Sequence, residues 1–152
     1  MKFFSFVLVA GLLPTMAEGK EWSSSEISGQ ILEQLKSSPT LVFGEPEKGV
    51  GSLSGWTIYR SRSKEQTSTI AFKSTATIPA AEEVYRLALK EFSTRQRVPF
   101  PIGDQSSMSY GEAGGWILVR RGSSVFLVMG SRIPFEVLKT HAATLDKFFS
   151  NP

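Results

Sequence analysis

The sequence predicts an α+β fold: a mostly antiparallel sheet of four to six strands with helices on both faces, in the order ββαβββα. Three observations predict it. Strand-like runs rich in β-branched and aromatic residues pair around short polar turns at 56–77 and 114–130. Helical apolar periodicity occupies 23–39, 79–96 and 134–151. The ribbon GGWILVRRGSSVFLVMG, Gly114–Gly130, is apolar at successive positions on both strands. A sheet with one wet face alternates polar and apolar residues, and this ribbon does not, so both of its faces need cover. The competing arrangement is a sheet curved around an apolar ligand cavity.

The elements follow in order. Lys2, the apolar run Phe3–Leu13, Pro14 and the small-x-small step Thr15-Met16-Ala17 have the anatomy of a secretory signal peptide, which assigns 1–17 to a leader. The apolar run is about half of the roughly 20 residues a membrane span needs, and no later segment approaches that length. Residues 18–24 are a polar lead-in, and 25–150 read as one α+β domain, a size able to bury a core without staples. Ile27, Ile31, Leu32 and Leu35 share one face of a first helix that Pro39 stops. Thr40–Phe43 is a short strand candidate, and 44–55 is a glycine-rich loop. Trp56–Ser63 and Thr67–Thr77 form a hairpin, with Ile70 and Phe72 as inward candidates.

Pro79 opens the second helix, where its missing N–H has no partner to lose. Glu82 and Glu83 are expected in its first turn, and Val84, Leu87, Ala88 and Phe92 on its buried stripe, which Tyr85 and Leu89 widen. A Pro-containing connection leads to a short strand around Ser107–Glu112 and then to the ribbon. With Gly122-Ser123 as a type II′ turn, Val119 faces Phe126 and Ile117 faces Val128 on one side. Leu118 faces Leu127 and Trp116 faces Met129 on the other. Pro134 opens the last helix, whose inner face carries Leu138, His141, Ala142, Leu145, Phe148 and Phe149.

Composition narrows the chemistry. The sequence has no cysteine and one histidine, so ordinary zinc or copper sites are excluded, and no D-x-D-x-D-G run offers a calcium loop. The only asparagine, Asn151, precedes Pro152, so there is no glycosylation acceptor, which suits a bacterial periplasm. The net charge of +3 is too small to imply a nucleic-acid or anionic-membrane partner. No cofactor is expected. His141 reads as a packed core residue with a nearby hydrogen bond. Ser61-Arg62-Ser63-Lys64 matches Ser-x-x-Lys but falls at a polar hairpin tip without the companion motifs. Gly49–Gly55 resembles a dinucleotide loop yet precedes a strand, whereas phosphate cradling requires a helix N-terminus.

Gly103-Asp104, about a dozen residues, the apolar run Trp116–Val119, Arg120-Arg121-Gly122 and an apolar return strand form a pattern with a closing helix behind it. It resembles the small exported bacterial domains of the PsbP-like and sensor-like lipoprotein type. The likeness covers the topology from Trp56 to Phe149 and, as a motif, residues 103–130. The chain departs from the lipoprotein members in lacking the lipid-attachment cysteine. The resemblance implies a non-catalytic binding or accessory domain and transfers no catalytic residues.

The expected function is therefore an exported, periplasmic or secreted, non-enzymatic binding or accessory module, with an envelope protein or a small apolar ligand as partner. A carrier holding an apolar ligand between sheet and helix is the first alternative, lined by Trp56, Tyr59, Phe72, Trp116 and Phe126. A hydrolase using Asp104, Glu112 or His141 is the second; the two carboxylates flank one short strand and are expected to approach each other. Arg60, Arg62 and Lys64 at one hairpin tip and Arg120 and Arg121 at the other would form an anion or partner patch if the tips share an edge. Otherwise Arg120 and Arg121 are the wet end of a structural hairpin.

Overall fold

The computed structural model describes residues 42–62, 66–92 and 97–151. The leader, the lead-in, the predicted first helix and Lys64 lie outside the described residues. Six antiparallel strands form one sheet: β1 (Glu47–Lys48), β2 (Thr57–Arg62), β3 (Thr67–Ser74), β4 (Gln105–Gly111), β5 (Gly114–Arg121) and β6 (Ser124–Ser131), in the spatial order β1-β2-β3-β6-β5-β4. Helix α1 (Ile78–Phe92) follows β3, and α2 (Phe135–Ser150) follows β6. From β2 onward the order is ββαβββα, as the sequence predicts.

The ribbon sits inside the sheet. β6 pairs with β3 on one side and β5 on the other, and β5 is bordered by β4. Its register is the predicted one, with Val119 opposite Phe126, Ile117 opposite Val128, Leu118 opposite Leu127 and Trp116 opposite Met129. Gly122 has a φ of 56°, and among the described residues Ser123 is not left-handed, which fits a type II′ turn.

Alternation along the strands builds two separate cores. Ile117, Val119, Phe126 and Val128 pack with Tyr59, Ile70, Phe72 and the inner face of α2. Leu118, Val125 and Leu127 pack with Trp56, Ile58, Ala71 and the inner face of α1. Residues 117–119 and 125–128 are fully removed from solvent. Each large side chain so buried contributes roughly 1.5–3 kcal/mol relative to exposure, so stripping either helix from the sheet would be costly.

The helices differ in how well the sequence foretells them. In α2 the six residues predicted to face inward are the six that are buried, with Pro134 immediately before the first turn. In α1 the start moves and the buried stripe centres on Tyr85, expected only at its margin, instead of on Leu87. Thr77 caps the helix, accepting the Ala80 N–H on its hydroxyl at 3.3 Å, so Ile78 is the first helical residue and Pro79 the second. Glu82 and Glu83 consequently fall beyond the first turn. The buried residues are Ala81, Tyr85 and Ala88, while Leu87 is 52% exposed. Tyr85 turns inward because its ring is apolar and its hydroxyl meets Ser107 Oγ on β4 at 3.1 Å. That rotation carries Leu87 outward.

The short N-terminal pieces guard an edge. Phe43 makes an isolated bridge with Ser61 rather than a continuous strand, and β1 pairs only with the start of β2. Residues 44–55, predicted as loop, hold β1 and a 3-10 turn at Gly51–Leu53. Val98 does the same for the opposite edge, exchanging two backbone hydrogen bonds with Met108.

Candidate functional site

Strand parity decides what Arg120 and Arg121 do. Successive residues point to opposite faces, so Arg120 follows Leu118 toward α1 and Arg121 follows Val119 toward α2. Arg120 is only 7% exposed. It donates to Gln105 Oε1 at 2.8 Å, Asp104 Oδ2 at 3.2 Å and the Gly122 carbonyl at 3.1 Å, and Glu82 on α1 lies 3.7 Å away. Arg121 makes a paired contact with Asp146 on α2, at 2.8 and 2.7 Å. It reaches Asp104 at 3.3 Å as well. The hydrogen bonds to Asp146, with a smaller part from Asp104, hold the Arg121 guanidinium above the usual arginine range.

Asp104 is the hub. One carboxylate accepts from Arg120, from Arg121 and, at 2.7 Å, from the Gly122 backbone N–H. Its own N–H donates to the Arg120 carbonyl at 2.8 Å. Gly103 makes the approach possible: its φ is 69°, and a Cβ there would lie 2.3 Å from a Val119 methyl and 2.7 Å from the Arg120 carbonyl. The Gly-Asp…Arg-Arg-Gly pattern is thus a lock that ties the turn of the ribbon to both helices. The two arginines are neither a wet hairpin tip nor a free patch.

Among the described residues, Arg60 and Arg62 do not share a sheet end with Arg120 and Arg121. Ser74 of β3 pairs with Ser124, next to the Gly122 turn, whereas Thr67 pairs with Ser131 at the far end. Arg62, the last residue of β2, pairs with Thr67 and therefore lies about 25 Å from Arg120 and Arg121, the length of an eight-residue strand. Arg60 is already matched by Glu47 at 3.3 Å, and Arg62 closes β2 at that far end. The proposed cavity lining divides too. Tyr59, Phe72 and Phe126 are on the α2 face, while Trp56 and Trp116 are on the α1 face. A sheet one residue thick separates the two sets, so they do not enclose one ligand.

The hydrolase candidates do not converge. Asp104 precedes β4 and Glu112 follows it, so a full strand holds the two carboxylates apart. Ser61 is not at a hairpin tip but inside β2, buried, with its hydroxyl accepting the Ser68 N–H at 3.0 Å. His141 is 2% exposed and lies edge-on to Phe43, with ring centroids 5.8 Å apart. It is packed, as predicted, but neither ring nitrogen has a hydrogen-bond partner among the described residues. Burial pushes its pKa down to about 4, so it is neutral at pH 7. Among the described residues no cluster of acidic and histidine side chains could hold a metal ion.

What sequence reasoning missed is a groove on the α1 face. An open cleft of about 550 Å³ runs between α1 and the turn at 51–55. Trp56, Val84, Leu87 and Ala88 give it apolar walls, and Ser52, Ser54, Lys73, Lys90 and Glu91 give it polar ones. Lys73 is the unusual member. It stands on the sheet face that carries Trp56, Ile58, Ala71, Val125 and Leu127, and it is partly buried. It and Arg120 flank Val125 in register. Arg120 is neutralised by Asp104 and Glu82, but neither Lys73 nor Lys90 has an ion-pair partner among the described residues. Lys73 Nζ lies against Gly55, 3.2 Å from where a Cβ would be. The signal in the sequence was the lysine in an inward register position of TSTIAFKS, two residues after Ala71.

Comparison with known proteins adds no relative: no family model, no curated protein and no solved structure matches the chain.

Two predictions follow from these environments. Asp104→Ala strips Arg120, Arg121 and Gly122 of a shared acceptor and should lower stability by about 2 kcal/mol in urea unfolding; Asp104 is 38% exposed, which keeps the cost below that of a fully buried pair. Arg86→Ala, which breaks only the exposed pair with Glu83, should leave the midpoint unchanged. An unshifted Asp104→Ala midpoint would show that the lock contributes nothing. For His141, the unfolded chain binds a proton near pH 6.5 and the folded chain only near pH 4, so stability is complete above about pH 6.5 and declines as pH falls toward 4. Between pH 7 and pH 5 the loss from this group should be about 2 kcal/mol. His141→Leu should remove that component, and an undiminished pH slope in the variant would contradict it.

Proposed function

We propose that the protein is an exported, non-enzymatic binding module whose ligand seat is the groove between α1 and the 51–55 turn. The observation that carries this reading is Lys73: a partly buried cation lining a cleft and making no ion pair among the described residues. An unpaired charge taken partly out of water is costly, so such a residue points to a ligand that completes it. The size of the cleft suits a small molecule, since ligand pockets commonly run from about 300 to 1,000 Å³. The separation of Asp104, Glu112 and His141 supports a binding role over a hydrolytic one. Export is read from the leader pattern of residues 1–17, and the resemblance to PsbP-like and sensor-like lipoprotein domains implies the same kind of module. Among the described residues no helix is long and apolar enough to cross a membrane.

Native mass spectrometry of the protein taken from its host tests both halves of the reading. The expected spectrum shows a chain starting at Glu18 with a small-molecule increment that disappears on denaturation. A chain that retains residues 1–17 would contradict export, and a bare chain mass would contradict the ligand seat.

A further inference from the structure

The reading above leaves the ligand's chemistry open, and the groove itself narrows it. Part of the lining is apolar, with Leu87 half exposed on α1 and Trp56 almost wholly buried on the sheet side. Among these apolar groups stand two ammonium groups, Lys73 from the sheet and Lys90 from α1, and the hydroxyl of Ser52. Glu91 shares the cleft but forms no ion pair with either lysine among the described residues. A wholly apolar ligand would leave Lys73 unmatched. A small inorganic anion would leave Trp56 and Leu87 unused. No arginine lines the cleft, and 51–53 is a single 3-10 turn, so the planar forks and helix N-termini that favour phosphate are missing from its lining. The complementary ligand has one anionic head and an apolar body.

Resting on the binding-module reading, we infer that the groove takes a small amphipathic carboxylate, its head paired with Lys73 and its alkyl or aryl body laid along Trp56, Val84 and Leu87. Lys90, more exposed, adds attraction at the mouth. A charge-assisted contact in a partly desolvated cleft is strong enough to dominate the choice between a carboxylate and a cation of the same chain length. Gly55 leaves the Lys73 ammonium room at the turn, since a Cβ there would lie 3.2 Å from Nζ.

The test uses the purified protein and three probes below their micelle concentrations: dodecanoate, dodecyltrimethylammonium and acetate. Calorimetry should show dodecanoate binding at one site, the cationic analogue binding weaker by about tenfold or more, and acetate not binding. Lys73→Met should weaken dodecanoate by about tenfold without lowering the melting temperature, and Lys73→Arg should restore much of the loss. Leu87→Ser should weaken dodecanoate without creating an acetate site. Equal binding of the anionic and cationic chains, an unchanged Kd in Lys73→Met, or no dodecanoate binding would each overturn the proposal. If dodecanoate fails while the host-derived protein carries another molecule, the carboxylate assignment falls and the binding module stands; if the host-derived protein is also bare, both fall.

Discussion

The whole architecture depends on one constraint: the β5–β6 ribbon is apolar on both faces and must be covered twice. Seven of its residues, 117–119 and 125–128, are fully buried, and they divide by parity between two cores. Placing the ribbon inside the sheet satisfies its edges through β3 and β4. Placing α1 and α2 on opposite sides satisfies its faces. Neither helix is optional, because each is the only described helix on its side of the sheet. The arginine lock then closes the open end of the same ribbon. Arg120 and Arg121 continue the alternation outward, one toward Glu82 on α1 and one toward Asp146 on α2, with Asp104 accepting from both. The sandwich is thus held by burial in the middle and by charge at its tip.

That economy also explains why the groove stands out. Arg120 and Lys73 are two cations in one row of the α1 face, on either side of Val125. Among the described residues the first makes ion pairs and the second makes none. A structural role for Lys73 would call for a carboxylate in reach, as every arginine of the lock has. The apolar wall beside it comes from the same rotation of α1 that buries Tyr85, since turning Tyr85 in places Leu87 at the rim. Local packing and the candidate site therefore share a cause.

Much of this was legible in the residues. Uninterrupted apolar runs around Gly122-Ser123 gave the ribbon's register and its need for two covers, because side-chain alternation along a strand is fixed geometry. The inner face of α2 was equally plain, since six inward residues share one helical stripe. The stripe of α1 was only partly so: Ala88 and the flanking Tyr85 were placed on it, but periodicity does not reveal that the Tyr85 hydroxyl finds Ser107 on a distant strand and so centres the stripe on Tyr85 rather than Leu87. Nor does it reveal the lock: 104 and 120 are far apart in sequence, and their meeting depends on β4 pairing with β5 and on Gly103 allowing the close pass. Reading aromatic residues as one cavity failed for a simpler reason. Trp56 and Tyr59 are three apart on an extended chain, and an odd spacing sends them to opposite faces.

Native-state amide hydrogen exchange, read residue by residue, tests the central constraint most directly. If the doubly covered ribbon holds the fold together, the amides of Leu118, Val119, Phe126 and Leu127 should exchange only through global unfolding, with an opening free energy equal to the stability from denaturant titration. Exchange of those amides through local opening, at a free energy well below the global value and no slower than at Lys48 in β1, would contradict the account.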